Sequence, residues 1–438
     1  MATAIVVVGA GAAGMMAAYA AAKAGARVLV LERNRTVGRK LLITGAGRCN
    51  LTNQATTDEL VAQTPGNGRF LYSVLQRFGA ADVMRLFETE LGVPLKVERG
   101  RRVFPVSDQS RDIVDALDQA LKKLGVELLT GRRATAILLD SDRRAAGVQC
   151  EDGAKFPAAG VILATGGASY PGTGSTGDGY RLARAVGHTI VPLFPSLAPL
   201  ETVESWPGSV EGLTLNNINV TTYYRDKKLE AEFGDLLFTG FGVSGPTILS
   251  LSRRIAPLAL RESGAVTLRL DLKPALTEGE LDLRIQKDFT KFARKAFKNA
   301  LDELLPQSLI SVMVDLARID PLKPVHQITR EERGQLVRLF KQLSLTIRKP
   351  RPLAEAIVTA GGISVKEINP KTTESKIVDG LYLVGEVVDV DAYTGGYNLQ
   401  IAFAMGHAAG VAAGSAGGGR PGGRPGVKAD PSAALLER

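Results

Sequence analysis

Along the first 190 of the 438 residues, apolar positions recur with two alternating periods. Ile5-Val6-Val7-Val8 is an unbroken β-branched run, the pattern of a strand buried on both faces. The alanine-rich stretch Ala12 to Lys23 has high helix propensity, and Gly25 breaks it. Val28-Leu29-Val30-Leu31 then resumes as a strand. Val114, Leu117, Leu121 and Leu124 set a helical period over 113–124, and Gly125 separates it from the strand Val126-Glu127-Leu128-Leu129. Segments 136–139 and 146–149 predict a hairpin turning at Asp140-Ser141-Asp142. Val161-Ile162-Leu163-Ala164 predicts a further buried strand. Strands alternating with helices argue for an α/β fold.

The pattern changes after His188. Residues 191–275 read as short strands separated by Pro, Gly and Asn, such as Val220-Thr221-Thr222-Tyr223-Tyr224. Residues 276–346 read as helical, with prolines marking the breaks. The α/β style returns over 352–414, where Gly380 to Glu386 runs as a strand into a glycine turn and 399–413 as a small-residue helix. The predicted organisation is a first α/β part at 1–190, an insert at 191–351, a second α/β part at 352–414 and a disordered Gly/Pro/Arg-rich tail at 415–438.

Composition narrows this picture. Hydrophobic residues make up 45% and charged residues 23%, which fits a globular chain with a large core. Cys49 and Cys150 stand far apart, so no disulfide framework is expected and a reducing cytoplasm is the expected location. Three histidines and no Cys/His cluster give no readable metal site. No membrane span is expected, because the apolar N-terminus divides into a strand and a helix. The net charge of +9 suits an anionic ligand. Basic residues interleave with Phe289, Phe292 and Phe297 over 287–298; a solvated amphipathic helix explains them better than a nucleic-acid face.

Candidate chemistry gathers in four glycine-rich blocks. Gly9, Gly11 and Gly14 form a G-x-G-x-x-G between the first strand and a helix opened by Ala12 and Ala13. Such glycines give a tight turn, close approach to a pyrophosphate and close helix packing; the acidic Glu32 after the second strand would meet a ribose, and Arg33 beside it is a further cofactor-binding candidate. The second block, 38–53, pairs Arg39, Lys40 and Arg48, able to neutralise a diphosphate, with Leu41, Gly47 and the amide of Asn50. The third is Ala164-Thr165-Gly166-Gly167 at a strand end, followed by Asp178 as an expected helix N-cap. The fourth holds Gly385-Glu386 and Gly395-Gly396-Tyr397-Asn398-Leu399. Cys49, a lone thiol among basic residues, and Tyr397 are the candidate catalytic side chains; a packed structural thiol is the simpler account of Cys49.

The stretch Gly47-Arg48-Cys49-Asn50-Leu51-Thr52-Asn53, with Gly100 to Ser107, 164–180, 234–246 and 359–410, closely resembles a bacterial flavoprotein family that includes YhiN-like proteins and BaiN-like bile-acid enone reductases. The resemblance implies a glutathione-reductase-like Rossmann domain for non-covalent FAD, interrupted by an insert with a β-barrel-like part and a helical part. It implies that Gly9, Gly11 and Gly14 hold the pyrophosphate, Glu32 the ribose and Ala134 the adenine. Arg39 and Lys40 would lie along the cofactor, Thr165 and Gly166 in a shared flavin motif, and Glu386, Asn398 and Leu399 by the ribityl chain and ring. The implied activity is reduction of a conjugated C=C bond of a small molecule, with NAD(P)H or another donor. Gly240 and Thr373 depart from the family pattern, where His and Met are common. A flavin-dependent RNA-modifying or RNA-binding protein and a redox-inert flavin sensor are the alternatives.

Overall fold

The computed structural model describes residues 4–417. Its centre is a five-stranded parallel sheet of β1 (Ala4–Val8), β2 (Arg27–Glu32), β3 (Glu127–Thr130), β4 (Gly160–Leu163) and β5 (Leu381–Leu383). The spatial order is β5-β4-β1-β2-β3. Chain segments separated by more than 200 residues thus lie side by side: Val161 pairs with Val6 on one flank and Leu381 on the other. Both faces are covered, and every residue of β4 and β5 is buried, as the continuous apolar runs require.

Helix α1 (Ala12–Lys23) leaves β1 through the glycine turn. Helix α2 (Ser110–Lys123) carries the apolar stripe Ile113, Val114, Leu117 and Leu121 inward. After α3 (Asp178–Ala185) the chain enters the insert. There α4 (Pro246–Arg261) crosses the barrel, and α5 (Tyr397–Gly417) closes the α/β body. Helix α5 packs along α1 through a stripe of glycines spaced four apart. A Cβ on Gly406 would stand 2.3 Å from the Ala13 carbonyl oxygen, and one on Gly410 2.3 Å from that of Ala17. Gly414 faces Ala21 and Ala24 in the same way. Small residues on both helices let the backbones touch.

The insert is a closed six-stranded antiparallel barrel, in the order Leu200–Thr202, Gly242–Ser244, Lys227–Thr239, Thr214–Tyr224, Val266–Asp271, Leu343–Pro350. Its interior residues, among them Val220, Phe238, Leu268 and Leu345, form a second core, distinct from that of the α/β body. Helices Glu278–Lys291, Gln307–Ala317 and Arg330–Lys341 pack on that core. The first and third start with capping boxes, Thr277 with Glu280 and Thr329 with Glu332.

Four features differ from the sequence expectation. Ile190–Ser196 is not part of the barrel; it pairs antiparallel with Val358–Ile363, so the incoming and outgoing chain form one two-stranded crossing. The barrel's closing strand, Leu343–Pro350, comes after the helices, with Leu343, Leu345 and Ile347 buried and Ser344 and Arg348 exposed. The basic 287–298 stretch is not one helix. Its helix ends at Lys291, and Phe289 and Phe297 meet edge to face at 6.5 Å inside the insert's core. Helix α5 includes residues 415–417, and the rest of the expected tail, 418–438, lies outside the described residues. No helix among the described residues is long and apolar enough to cross a membrane.

Candidate functional site

A cavity of about 770 Å³ runs from the carboxyl ends of β1 and β2 to the face of the insert. Parallel sheets place ligands at this edge because the loops and helix N-termini there diverge and expose backbone N–H groups. The three motif glycines have three different surroundings. Gly9 has φ +103°, and a Cβ on it would stand 2.6 Å from the Ala164 carbonyl oxygen. A Cβ on Gly14 would stand 1.9 Å from the Gly9 carbonyl oxygen, so this residue packs the helix and does not line the cavity. A Cβ on Gly11 would meet no protein atom within 4 Å; it would project into the open space beside the helix start.

Glu32 is buried at the end of β2 and holds the turn as well as facing the cavity. Its Oε2 accepts the Ala10 N–H at 2.8 Å, and its Oε1 accepts the Asn34 N–H and Nδ2 at 2.7 and 2.8 Å. Arg33, Arg39, Arg132 and Arg133 line the same end. Asp178 lies there too, but not as an N-cap. Gly177, in the left-handed region, caps α3, and Asp178 takes Nε and Nη2 of Arg133 at 2.8 Å each and Nη1 of Arg33 at 3.0 Å. Those guanidiniums, Arg133 foremost, hold its carboxyl below the ordinary range. A carboxylate inside the first helical turn suits the helix dipole without capping it. Sequence inspection missed Arg133, although it adjoins Ala134, which does line the cavity.

Midway along the cavity Lys40 and Glu386 meet from positions 346 residues apart. Lys40 Nζ donates to both Glu386 oxygens at 2.9 and 2.7 Å and to Ser169 Oγ at 2.7 Å. Glu386 Oε1 also accepts the Thr359 N–H at 2.8 Å. Burial opposes its charge, yet Lys40 and these donors win and keep the carboxyl below its ordinary range. Asn398, in the first turn of α5, donates to the Ala392 carbonyl at 2.8 Å and accepts the Ala392 N–H at 2.9 Å. It fixes the 392–398 loop against the cavity. Leu41, Asn50, Ala164, Thr165, Gly166, Gly385, Gly396 and Leu399 also line it.

Other expected residues do not. Gly47, Arg48 and Cys49 lie outside the lining. Arg48 sits 4.2 Å over the Phe104 ring and pairs with Glu98 and Asp108, so its charge is spent within the protein. Cys49 is fully buried, and burial pushes its thiol up to about 12, which removes it as a nucleophile at neutral pH. Gly167 packs on Thr359 and Glu386. Tyr397 packs on Gly395 and faces Arg101 and Glu59.

The far end is built by residues that no motif announced. Leu197, Pro246 and Leu249 reach in from the insert and its junction, opposite Ile357, Val358 and Val390. Tyr393 and Thr394 complete this end. It is joined to the α/β body by a buried ion pair: Asp391 accepts Arg253 Nε at 2.5 Å and Ser196 Oγ at 2.8 Å. Among the described residues no group of His, Cys, Asp and Glu is placed to hold a metal ion.

Residues 3–412 match the family described as the HI0933-like protein Rossmann domain. The chain belongs to this family. Within it and beyond, the chain is 34% identical over 405 residues to the 3-dehydro-bile acid delta(4,6)-reductase of Clostridium scindens, covering 92% of this chain and 97% of that one. It is 28% identical over 407 residues to the ribosomal RNA dihydrouridine synthase of Haemophilus influenzae, covering 92% and 96%. The fold of this HI0933-like chain is shared with the 3-ketosteroid delta1-dehydrogenase of Sterolibacterium denitrificans, at a TM-score of 0.53 and 13% identity over 94% of this chain and 99% of that one. The FrdA chain of E. coli quinol fumarate reductase shares it too, at 0.52 and 18%, over 96% and 71%.

Proposed function

We propose that this protein is an FAD-dependent oxidoreductase that saturates a C=C bond conjugated to a carbonyl in a small apolar substrate. The observation that carries this reading is the contrast within one cavity: a cradle of glycines, arginines and carboxylates at one end, and an aliphatic wall free of charged side chains at the other. A dinucleotide fits the first end. The space beside Gly11 is open to a pyrophosphate, and Thr165, in the lining, has a buried hydroxyl with no protein partner. Glu32 and Ala134 would meet the adenosine, Arg39 and Lys40 the length of the cofactor, and Glu386, Asn398 and Leu399 its ribityl and ring portion. A bound flavin supplies two-electron transfer at its ring, while the chain binds, orients and excludes water.

The aliphatic wall favours an uncharged ring system as substrate, because a carboxylate or phosphate set there would be desolvated without a partner. The printed activity of the Clostridium scindens relative, reduction of a bile acid at delta(4,6), is of this kind. Two buried free cysteines accord with a reducing cytoplasm. NAD(P)H is the proposed transient donor, visiting without a dinucleotide domain of its own. A second reading, an RNA dihydrouridine synthase, draws on the relatives of that name and on Phe292, whose ring lies 5.0 Å from Lys291 Nζ and 4.3 Å from Lys295 Nζ on the insert.

One anaerobic experiment separates the readings. The purified protein should be yellow and release FAD on denaturation. NADH or NADPH should bleach it, and a 3-oxo-4-ene bile acid should restore the colour. Restoration by unmodified ribosomal RNA and by no ketone would establish the second reading. No bleaching by any donor would leave a redox-inert flavin sensor.

A further inference from the structure

Saturating a C=C bond beside a carbonyl needs a proton as well as two electrons, and the aliphatic end of the cavity offers few groups that could give one. The Thr44 hydroxyl is committed to the Leu41 carbonyl at 2.7 Å. Lys40 and Glu386 are bound to each other. Cys49 and Tyr397 lie outside the lining. Tyr170 lines the cavity too, but next to Thr173 and Gly174, which face Asn34 at the adenosine end.

Tyr393 differs from all of these. Its backbone is fixed on both sides: its N–H donates to the Gln63 carbonyl at 3.0 Å, and its carbonyl accepts Asn398 Nδ2 at 3.3 Å. Tyr393 is one of the residues lining the cavity, and its hydroxyl makes no hydrogen bond among the described residues. The charged groups around it come from the insert: Glu230 and Glu232 on the barrel strand Lys227–Thr239, and Arg253 and Arg254 on α4. Arg253 is taken by Asp391, and Arg254 stands 3.8 Å from Glu230. Burial holds the Glu230 and Glu232 carboxyls above the ordinary range, against the pull of Arg254 on Glu230. Burial likewise raises the Tyr393 phenol, keeping it protonated at neutral pH.

We propose that Tyr393 is the proton donor of the reduction, delivering the Oη proton to the substrate carbon next to the carbonyl, with Glu230 returning a proton to it from solvent. The inference rests on the enone-reductase reading above. As the carbon β to the carbonyl receives two electrons and a hydrogen, the former π pair is left on the α carbon and carbonyl oxygen. The Oη–H bond breaks, a C–H bond forms at the α carbon, and the phenolate regains its proton through Glu230. Tyr393 ends each turnover as it began.

The test compares wild-type holoenzyme with Tyr393→Phe, both reduced anaerobically with dithionite and mixed with a 3-oxo-4-ene steroid. Recolouring by the ketone should slow by about 100-fold or more in the variant, the contribution of a well-placed general acid. Recolouring by oxygen and the affinity of the oxidised protein for the same ketone should stay as in wild type. A second readout needs no turnover: at a pH alkaline enough to ionise part of the Tyr393 phenol, tetranitromethane should nitrate Tyr393 in the oxidised holoenzyme, and the bound ketone should protect it, as read by peptide mass. Equal recolouring rates with ketone, or nitration indifferent to ketone, overturn the assignment of Tyr393 alone. A wild-type protein that no ketone recolours overturns the enone reading and this assignment with it.

Discussion

The two ends of the cavity are built on opposite plans. The end proposed for the adenosine is polar and local: Gly9, Gly11, Glu32 and Arg33 come from one strand–helix–strand unit, and Arg133 and Asp178 neutralise each other beside it. The end proposed for the substrate is apolar and assembled from afar: Leu197, Pro246 and Leu249 come from the insert and its junction, Ile357, Val358 and Val390 from the later part of the chain. A cofactor shared by many reactions needs a fixed polar grip, whereas a substrate pocket needs only shape and dryness, supplied here by a separately cored module. Binding at the two ends should therefore be separable by mutation.

The largest effect should come from the seam. Asp391→Ala leaves the half-buried Arg253 unpaired, which costs about 3 kcal/mol of stability. Urea unfolding should show that loss, together with loss of ketone binding; a loss under about 1 kcal/mol would mean that the seam does not join the two ends. Next is the polar grip. Gly11→Val places a side chain where a pyrophosphate would lie, and an overpacking cost of about 1–3 kcal/mol weakens FAD retention about 10- to 100-fold. Ketone affinity of the flavin-free protein should be unchanged.

At the other end, Leu249→Glu should weaken ketone binding about 10-fold, because an unpaired carboxylate enters an aliphatic wall. FAD content should match wild type; parallel loss of both would collapse the distinction between the ends. The smallest effect is expected of Cys49→Ala, which should leave flavin reduction and recolouring rates unaltered. Cys49 should still report on folding. Its thiol ionises near the ordinary value in the unfolded chain but only at about 12 in the folded one. The folded state thus keeps a proton the unfolded state has lost, and this contribution to stability, complete below the ordinary thiol pKa, fades as pH climbs toward 12. Alkaline unfolding should be less steep in the variant, and alkylation of Cys49 at pH 8 should require denaturant.

The same contrast explains what could be read from the sequence. The polar grip depends on backbone conformation, and only certain residues permit it, so Gly9, Gly14 and Glu32 announce it in order. Arg48 misled, because charge in a glycine-rich loop looks alike whether it meets a phosphate or, as here, Glu98 and Asp108, brought in from a separate three-stranded sheet and its following turn. Leu249 and Val390 carry no local signal: an aliphatic side chain facing a cavity reads like one facing a core. The barrel's last strand was hidden for another reason. Its alternation of Leu343, Leu345 and Ile347 is regular, but it follows three helices directly and pairs with strands more than 70 residues earlier.

The glycine stripe that lets α5 lie on α1 sets the order of events during synthesis. Helix α1 opens at the glycine-turn end of the cavity, and α5 opens beside Asn398 further along it, so both walls belong to one helix pair whose members emerge from the ribosome nearly 400 residues apart. At about 5–20 residues per second, the first glycine turn waits roughly 20–80 s for its partner. Once β4 has emerged, its edge stays open for about 220 further residues until β5 pairs with it. A flavin that touches both walls is thus expected to be loaded by the finished chain and not during its growth, and cells short of flavin should accumulate full-length protein with α5 and β5 undocked.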